Sequence, residues 1–261
     1  MMFIAEPKPT DGFEWTQTPW GRGLVCPPLE QYAAHLFTVG DLELRSDAKE
    51  WSGVADFLHL TRDRIRLISQ VHGIGIAAIH KETAGPWTLP TADGIVSDDD
   101  GVAVAVRVAD CAPILLADTT RRAVGAVHAG WRGTMQGIAG VAVASMSQEL
   151  GCRAEDLIAA IGPCLGLCCG EMGPEVVDMF RAAGHDDSRI ARWFQIGPSG
   201  RPYFDLWRAN REQLEAAGLR PDRIFTSGLC SRSHPDVFHS YRAKGSGAGR
   251  MLGIIRAEAR P

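Results

Sequence analysis

Ala123-Val-Gly-Ala-Val-His128-Ala-Gly-Trp-Arg-Gly-Thr134 is the stretch whose reading decides the fold class. Its first half is an apolar run of small and β-branched residues, which reads as a strand packed closely on a neighbour. The period then changes. From Gly133 onward Met135, Ile138, Val141, Ala142, Met146 and Leu150 recur at helical spacing, and Gly151 supplies the stop. Between the two lies Gly130-Trp-Arg-Gly133, a turn that would present its backbone N–H groups at the start of a helix.

Short strands and helices continue in both directions. Residues 32–39, 65–72, 102–108 and 114–118 read as strands, with His72 at the exit of the second. Residues 157–161 form a short buried strand. Pro174 suits the first position of a helix running to about Ala183. Asp205 caps a helix carrying Leu206, Ala209, Leu214 and Ala217, which Gly218 ends. Two last strands are expected near 237–241 and 251–255, with Gly245-Ser-Gly-Ala-Gly249 read as a hairpin turn. Residues 1–29, rich in Pro, Gly and Trp, look irregular or edge-like. No repeat or linker divides the chain, so one domain over 1–261 is expected. Because strict βαβ alternation is absent, the expected class is α+β, a mixed α/β sandwich, and not a Rossmann fold.

The bulk numbers narrow the function. With 45% hydrophobic and 22% charged residues, the 261-residue chain has the composition of an ordinary globular enzyme. A net charge of −4 without a basic run argues against nucleic-acid binding. Apolar stretches are broken by Gly, Arg or Asp before they could span a bilayer, and the start, Met1 to Pro9, does not read as a signal peptide. Seven cysteines, an odd number in a chain of this size, favour a reducing compartment, so a cytoplasmic location is expected.

His72, Cys111 and His128 each end a short apolar run, where a sheet presents side chains to a cleft. Two imidazoles and one thiol without an obvious fourth partner describe a zinc site with one open position. Their wide spacing carries no zinc-finger signature, and two hydrogen-bonded histidines with a packed thiol would also account for it. Arg132, Gly133 and Thr134 add a charged fork, backbone N–H groups and a hydroxyl, a combination suited to an anion. Cys164-Leu-Gly-Leu-Cys168-Cys169 lacks the second matching pair of a zinc ribbon and reads as packed thiols. Asp98-Asp-Asp100 reads as a solvated turn.

Together, Gln70-Val-His-Gly73, Ala92-Asp93, Ala109-Asp-Cys-Ala-Pro113, His128-Ala-Gly-Trp-Arg-Gly133, Ile161-Gly-Pro163, Cys168-Cys169 and Ser240-Tyr-Arg242 resemble the bacterial YfiH-type family. That family is known as multicopper polyphenol oxidoreductase or laccase, as purine nucleoside phosphorylase with adenosine deaminase activity, and as a peptidoglycan editing factor. The resemblance implies a four-layer α-β-β-α sandwich of two packed mixed sheets, with zinc held by His72, Cys111 and His128. Two departures from the pattern stand out. Gly40 replaces an arginine and Gly170 a tyrosine, side chains that would hold a phosphate or a base.

Three enzymatic readings follow. The first is a zinc enzyme acting on purine nucleosides by phosphorolysis, deamination or both, with Cys111, His128 and Asp110 catalytic. In that reading Arg132, Gly133, Thr134 and Gln70 contact the small-molecule substrate and phosphate. The second is a Cys111-nucleophile hydrolase acting on a cell-wall precursor, with His128 as base and Asp110 nearby. The third is a copper oxidase with Met135 as weak axial ligand; it is disfavoured because no H-x-H pair is present. A non-enzymatic partner holding zinc structurally is a further possibility, against which the open coordination position counts. The sequence is silent on oligomeric state.

Overall fold

A computed structural model describes residues 6–10, 12–45, 49–81 and 87–258. The first five residues, read above as unlike a signal peptide, lie outside them. Of the two forms expected for the N-terminal segment, its described residues take the edge-like one. β1 (Glu14–Thr18) and β2 (Gly21–Val25) form an antiparallel hairpin, and a single helical turn, α1 (Pro27–Glu30), leads into β3 (Ala33–Thr38). Short strands of mixed polarity at a sheet edge carry little local pattern, which is why the hairpin escapes a reading by periodicity.

After α2 (Lys49–Phe57) come β4 (Ile65–Arg66), β5 (Ile76–Ile79), β6 (Gly94–Ser97) and β7 (Ala103–Val108). Then follow β8 (Ala112–Asp118) and β9 (Val124–Ala129). The helix beyond β9 is two helices, α3 (Trp131–Met135) and α4 (Ile138–Leu150). They are separated where Gly137 adopts φ 84°, a conformation that ends one helical run before the next begins. The rest comprises β10 (Leu157–Ile161), α5 (Pro174–Ala182), α6 (Asp187–Trp193), β11 (Phe194–Ile196) and β12 (Pro202–Phe204). Next are α7 (Leu206–Ala216), β13 (Ile224–Thr226), α8 (Tyr241–Lys244) and β14 (Met251–Ala257). As expected, Pro174 opens α5 and the Asp205 carboxylate caps α7 by accepting from the Arg208 N–H.

One sheet runs β1-β2-β3-β14-β7-β4, antiparallel except for the parallel β4–β7 pair. The other runs β13-β10-β8-β9-β6-β5, antiparallel in its centre and parallel at both edges. Both sheets are mixed, and alternate side chains of each strand enter different cores. Val104 and Val106 of β7, Leu115 and Ala117 of β8, and Ile158 and Ala160 of β10 pack between the sheets. Ala103 and Ala105 face α2, with Trp51 and Val54. Ile114, Leu116, Val127 and Ile161 face the helical layer of α4 and α7. The order is therefore helix, sheet, sheet, helices, the four-layer mixed α/β arrangement. Central strands buried on both faces read as unbroken apolar runs. The small residues of β9 have a direct reason: a Cβ on Gly125 would come 3.5 Å from Met146 Sδ of α4 and 3.2 Å from Val96.

Three further expected elements differ. Only Ile65–Arg66 of the 65–72 stretch is a strand, because the chain then turns to meet the Asp93 carboxylate. Residues 237–241 are a turn leading into α8. Val237 and Phe238, consecutive in sequence, both enter the inter-sheet core, whereas a strand would send them to opposite faces. Gly245–Gly247 is a 3-10 turn, so no hairpin forms there. Among the described residues no helix is long and apolar enough to cross a membrane.

Candidate functional site

β7, β8 and β9 converge at one end of the two sheets. The chain leaves β7 in the first sheet, turns through Ala109-Asp110-Cys111 and enters β8 in the second. β9 returns antiparallel beside β8, with Pro113 opposite His128. This crossover is tight. Asp110 takes φ 84° and His72, on the adjacent loop, φ 62°, so two non-glycine residues hold the left-handed conformation where the elements meet.

Here the ligand atoms of His72, Cys111 and His128 all lie within 4.8 Å of one another. The two imidazole rings stand edge to face, with centroids 4.9 Å apart. A residue that the sequence patterns gave no role holds the arrangement. The Asp93 carboxylate, fully buried, accepts from His128 Nδ1 at 2.8 Å and from the backbone N–H groups of His72 at 2.8 Å and Gly73 at 2.6 Å. It also accepts from the Val71 N–H at 3.2 Å. One side chain thus fixes the tautomer of His128, leaving Nε2 for the cluster, and folds the loop that carries His72. Asp93 belongs to the family resemblance, but a carboxylate beside a short strand has no local signal of this use.

The charges follow from the packing. Burial pushes the Cys111 thiol up, but the neighbouring His128 and His72 imidazoles outweigh it and bring the group down to about 6. Burial lowers His128, while the Cys111 thiolate and the Asp93 carboxylate raise it to about 9. Gly130 is required by the cluster itself, since a Cβ there would stand 2.9 Å from Cys111 Sγ and 3.1 Å from the His72 ring.

The cluster opens into a cleft of about 920 Å³. Arg45, Arg107, Arg132, Arg242 and Arg250 line it, together with Trp131, Phe204 and Tyr241. Arg107 is the notable one. Its guanidinium has no hydrogen bond or ion pair among the described residues. Burial and the nearby Arg250 hold it below the ordinary arginine value. Five arginines drawn from distant parts of the chain make no motif, which is why sequence reading found Arg132 alone.

The other expected contacts are placed differently. The Arg132 guanidinium stacks 4.2 Å from the Trp131 ring centroid at the cleft wall. Thr134 is buried and its hydroxyl donates to Asn210 Oδ1 of α7, so it does not face the cleft. Gly133 packs against the Gly73 carbonyl, which a Cβ would approach to 3.0 Å. Gln70 lines the cleft, but its amide is spent on the backbone of Arg107, donating to its carbonyl at 2.8 Å and accepting from its N–H at 2.9 Å. The Asp110 carboxylate accepts from Ser231 Oγ at 2.6 Å and the Arg242 N–H at 2.5 Å, tying the crossover to α8. Met135 packs in the helical-side core and does not line the cleft. Gly40 and Gly170 are tight contacts: a Cβ would come 2.9 Å from the Val237 carbonyl oxygen and 2.5 Å from that of Phe204.

The family model for multi-copper polyphenol oxidoreductase laccase matches residues 36–258. The chain belongs to this family. Among its relatives, a purine nucleoside phosphorylase of Deinococcus radiodurans is 36% identical over 82% of this laccase-domain chain and 81% of that protein. The purine nucleoside phosphorylase YlmD of Geobacillus stearothermophilus is 35% identical over 77% of this chain and 75% of its own. The adenosine deaminase RL5, from an unknown prokaryote, is 37% identical over 64% of the chain and 63% of RL5. The alignment with a Bacteroides thetaiotaomicron purine nucleoside phosphorylase spans 60% of that relative. The crystal structure of the Geobacillus YlmD superposes with a TM-score of 0.82 at 29% identity, covering 94% of this chain and 99% of that one.

Proposed function

We propose that this chain is a zinc-dependent enzyme of purine nucleosides, cleaving the N-glycosidic bond of adenosine or inosine with phosphate, deaminating adenosine, or both. The observation that carries the reading is the convergence of two imidazole nitrogens and one acidic thiol at the floor of an arginine-lined cleft. The donor set fits zinc: one thiolate and two imidazoles, one of them oriented by a buried carboxylate. His72, Cys111 and His128 would hold the ion and leave one position facing the cleft. When bound, zinc supplies Lewis acidity at that position.

The remaining work falls to the chain's own groups. Arg107 and Arg250 present positive charge suited to a phosphate or another anionic group, and Arg132 extends that surface from the Trp131 ring. Tyr241, exposed at the cleft, offers a ring face against which a purine can stack. Asp110 acts here as a positioning residue that anchors the crossover beside Cys111. The same reading treats the chain as one domain, since β14 lies between β3 and β7 in the first sheet. Small-molecule substrate and phosphate are its partners, and the expected location is cytoplasmic.

A second reading rests on a specific observation. Cys111, His128 and Asp93 stand in the order thiol, imidazole, carboxylate, the arrangement of a cysteine nucleophile with its base and orienting acid. In that case Asp93, and not Asp110, orients the base. Metal analysis paired with turnover of adenosine and inosine, with and without phosphate, separates the two. A zinc enzyme loses activity in chelator and recovers it with zinc. Activity retained in chelator would favour the thiol hydrolase, and a zinc content unchanged in Cys111→Ala would remove the ligand assignment.

A further inference from the structure

The cleft wall formed by residues 164–172 carries a second cluster that the proposed reaction does not use. Leu165 and Met172 line the cleft, and between them the 3-10 turn Leu167–Cys169 approaches the segment that begins at Cys230. The sulfur atoms of Cys168, Cys169 and Cys230 all lie within 4.8 Å of one another, and none of the three is in a disulfide. Ser233 Oγ sits 3.2 Å from Cys168 Sγ and 3.4 Å from Cys169 Sγ. The Gly166 N–H donates to Cys230 Sγ at 3.3 Å.

We propose that Cys168, Cys169 and Cys230 form a second metal site, which takes one thiophilic d10 cation of the Zn2+ or Cu+ kind with Ser233 beside its remaining position. Metal–thiolate bonds of about 2.3 Å place three sulfurs about 4 Å apart, so the observed spacing needs little adjustment. An all-sulfur donor set selects soft ions and discriminates against Mg2+ and Ca2+, which take oxygen ligands. On binding, three S–H groups give their protons to solvent and three metal–sulfur bonds form, with no change of oxidation state.

Such an ion would bind two segments that border the cleft. It joins the 164–172 wall to residues 230–233, where Ser231 donates to Asp110. This cluster shares no residue with His72, Cys111 and His128, so substitutions can remove either set of ligands separately.

The test is ion stoichiometry on the full chain. Reduced, metal-stripped protein is equilibrated separately with Zn2+ and with Cu+ and dialysed, and bound ions per chain are counted by elemental analysis. Wild type is expected to hold two ions of at least one of the two metals, and the two arms identify which cation the site prefers. Cys111→Ala should lose one ion and keep the other. The Cys168→Ser/Cys169→Ser double variant should lose one while keeping the ion at His72, Cys111 and His128. Because Cys230 is buried and its replacement could disturb folding, the double variant at the more accessible pair provides the deciding count. Protection of Cys168 from alkylation in the loaded protein is the second readout. Equal ion counts in wild type and the double variant for both metals, or equal alkylation with and without metal, would overturn the proposal.

Discussion

Asp93 lies in the core with its carboxylate shared among the His128 imidazole and three backbone N–H groups. An asparagine in its place offers one acceptor oxygen and turns an NH2 group toward donors. Asp93→Asn should therefore lower metal affinity about 10- to 100-fold, the usual effect of losing a ligand's orienting partner. Chelator competition measures it, and an unchanged affinity would mean that Nδ1 of His128 needs no carboxylate. Thr134 tests the opposite case. Its hydroxyl serves Asn210 Oδ1, so Thr134→Val should cost about 1–3 kcal/mol of stability by stranding a buried acceptor, with the phosphate concentration for half-maximal rate unchanged. A raised phosphate requirement in a stable Thr134→Val protein would return Thr134 to the anion site. At this scale the sequence carried the three clustered residues, because each ends an apolar run. It did not carry the role of Asp93, whose partners come from segments distant in the chain, or that of Arg107, whose guanidinium makes no hydrogen bond among the described residues.

Elements were legible where one period dominates. β7, β9, β10, α5 and α7 follow from unbroken apolar runs, or from helical spacing closed by Pro174, Asp205 and Gly218. The two-residue strand β4, the hairpin β1–β2 and the turn at 237–240 were not, because their form is set by what they pack against. The close approach of the two sheets is a related case, visible only in the structure. A Cβ on Gly253, in the middle of β14, would stand 2.9 Å from Pro113 Cβ and 3.4 Å from Leu115 across the inter-sheet core. Both neighbours belong to β8 and neither is a long flexible chain, so they cannot swing aside cheaply. Gly253→Ala is expected to destabilise the protein by about 1–3 kcal/mol through overpacking. Denaturant unfolding reads it directly; a neutral or stabilising result would show that the sheets have slack at this point.

The response of the whole molecule to acid should turn on His35, which sits on β3 inside the first sheet. Its Nδ1 lies 3.2 Å from the Ala33 carbonyl oxygen, which it faces as a donor, and its Nε2 accepts the Cys26 N–H at 2.8 Å. An imidazole accepting at Nε2 must be neutral, and burial pushes the group down to about 4. In the unfolded chain it titrates at its ordinary value, about 6.5. Between those two values the unfolded state binds the extra proton, so stability rises with pH. The contribution is complete above about pH 6.5 and is lost as the pH falls toward 4. The difference of about 2.5 pH units corresponds to about 3 kcal/mol. His35→Gln keeps an acceptor for the Cys26 N–H without a titrating group. Unfolding free energies at neutral pH and near pH 4 should therefore fall less steeply in the variant than in wild type, by about that amount. The other ionisable groups are common to both proteins and cancel in the difference. Parallel pH profiles for the two would mean that the proton enters His35 without breaking the sheet, and that acid sensitivity arises elsewhere in the fold.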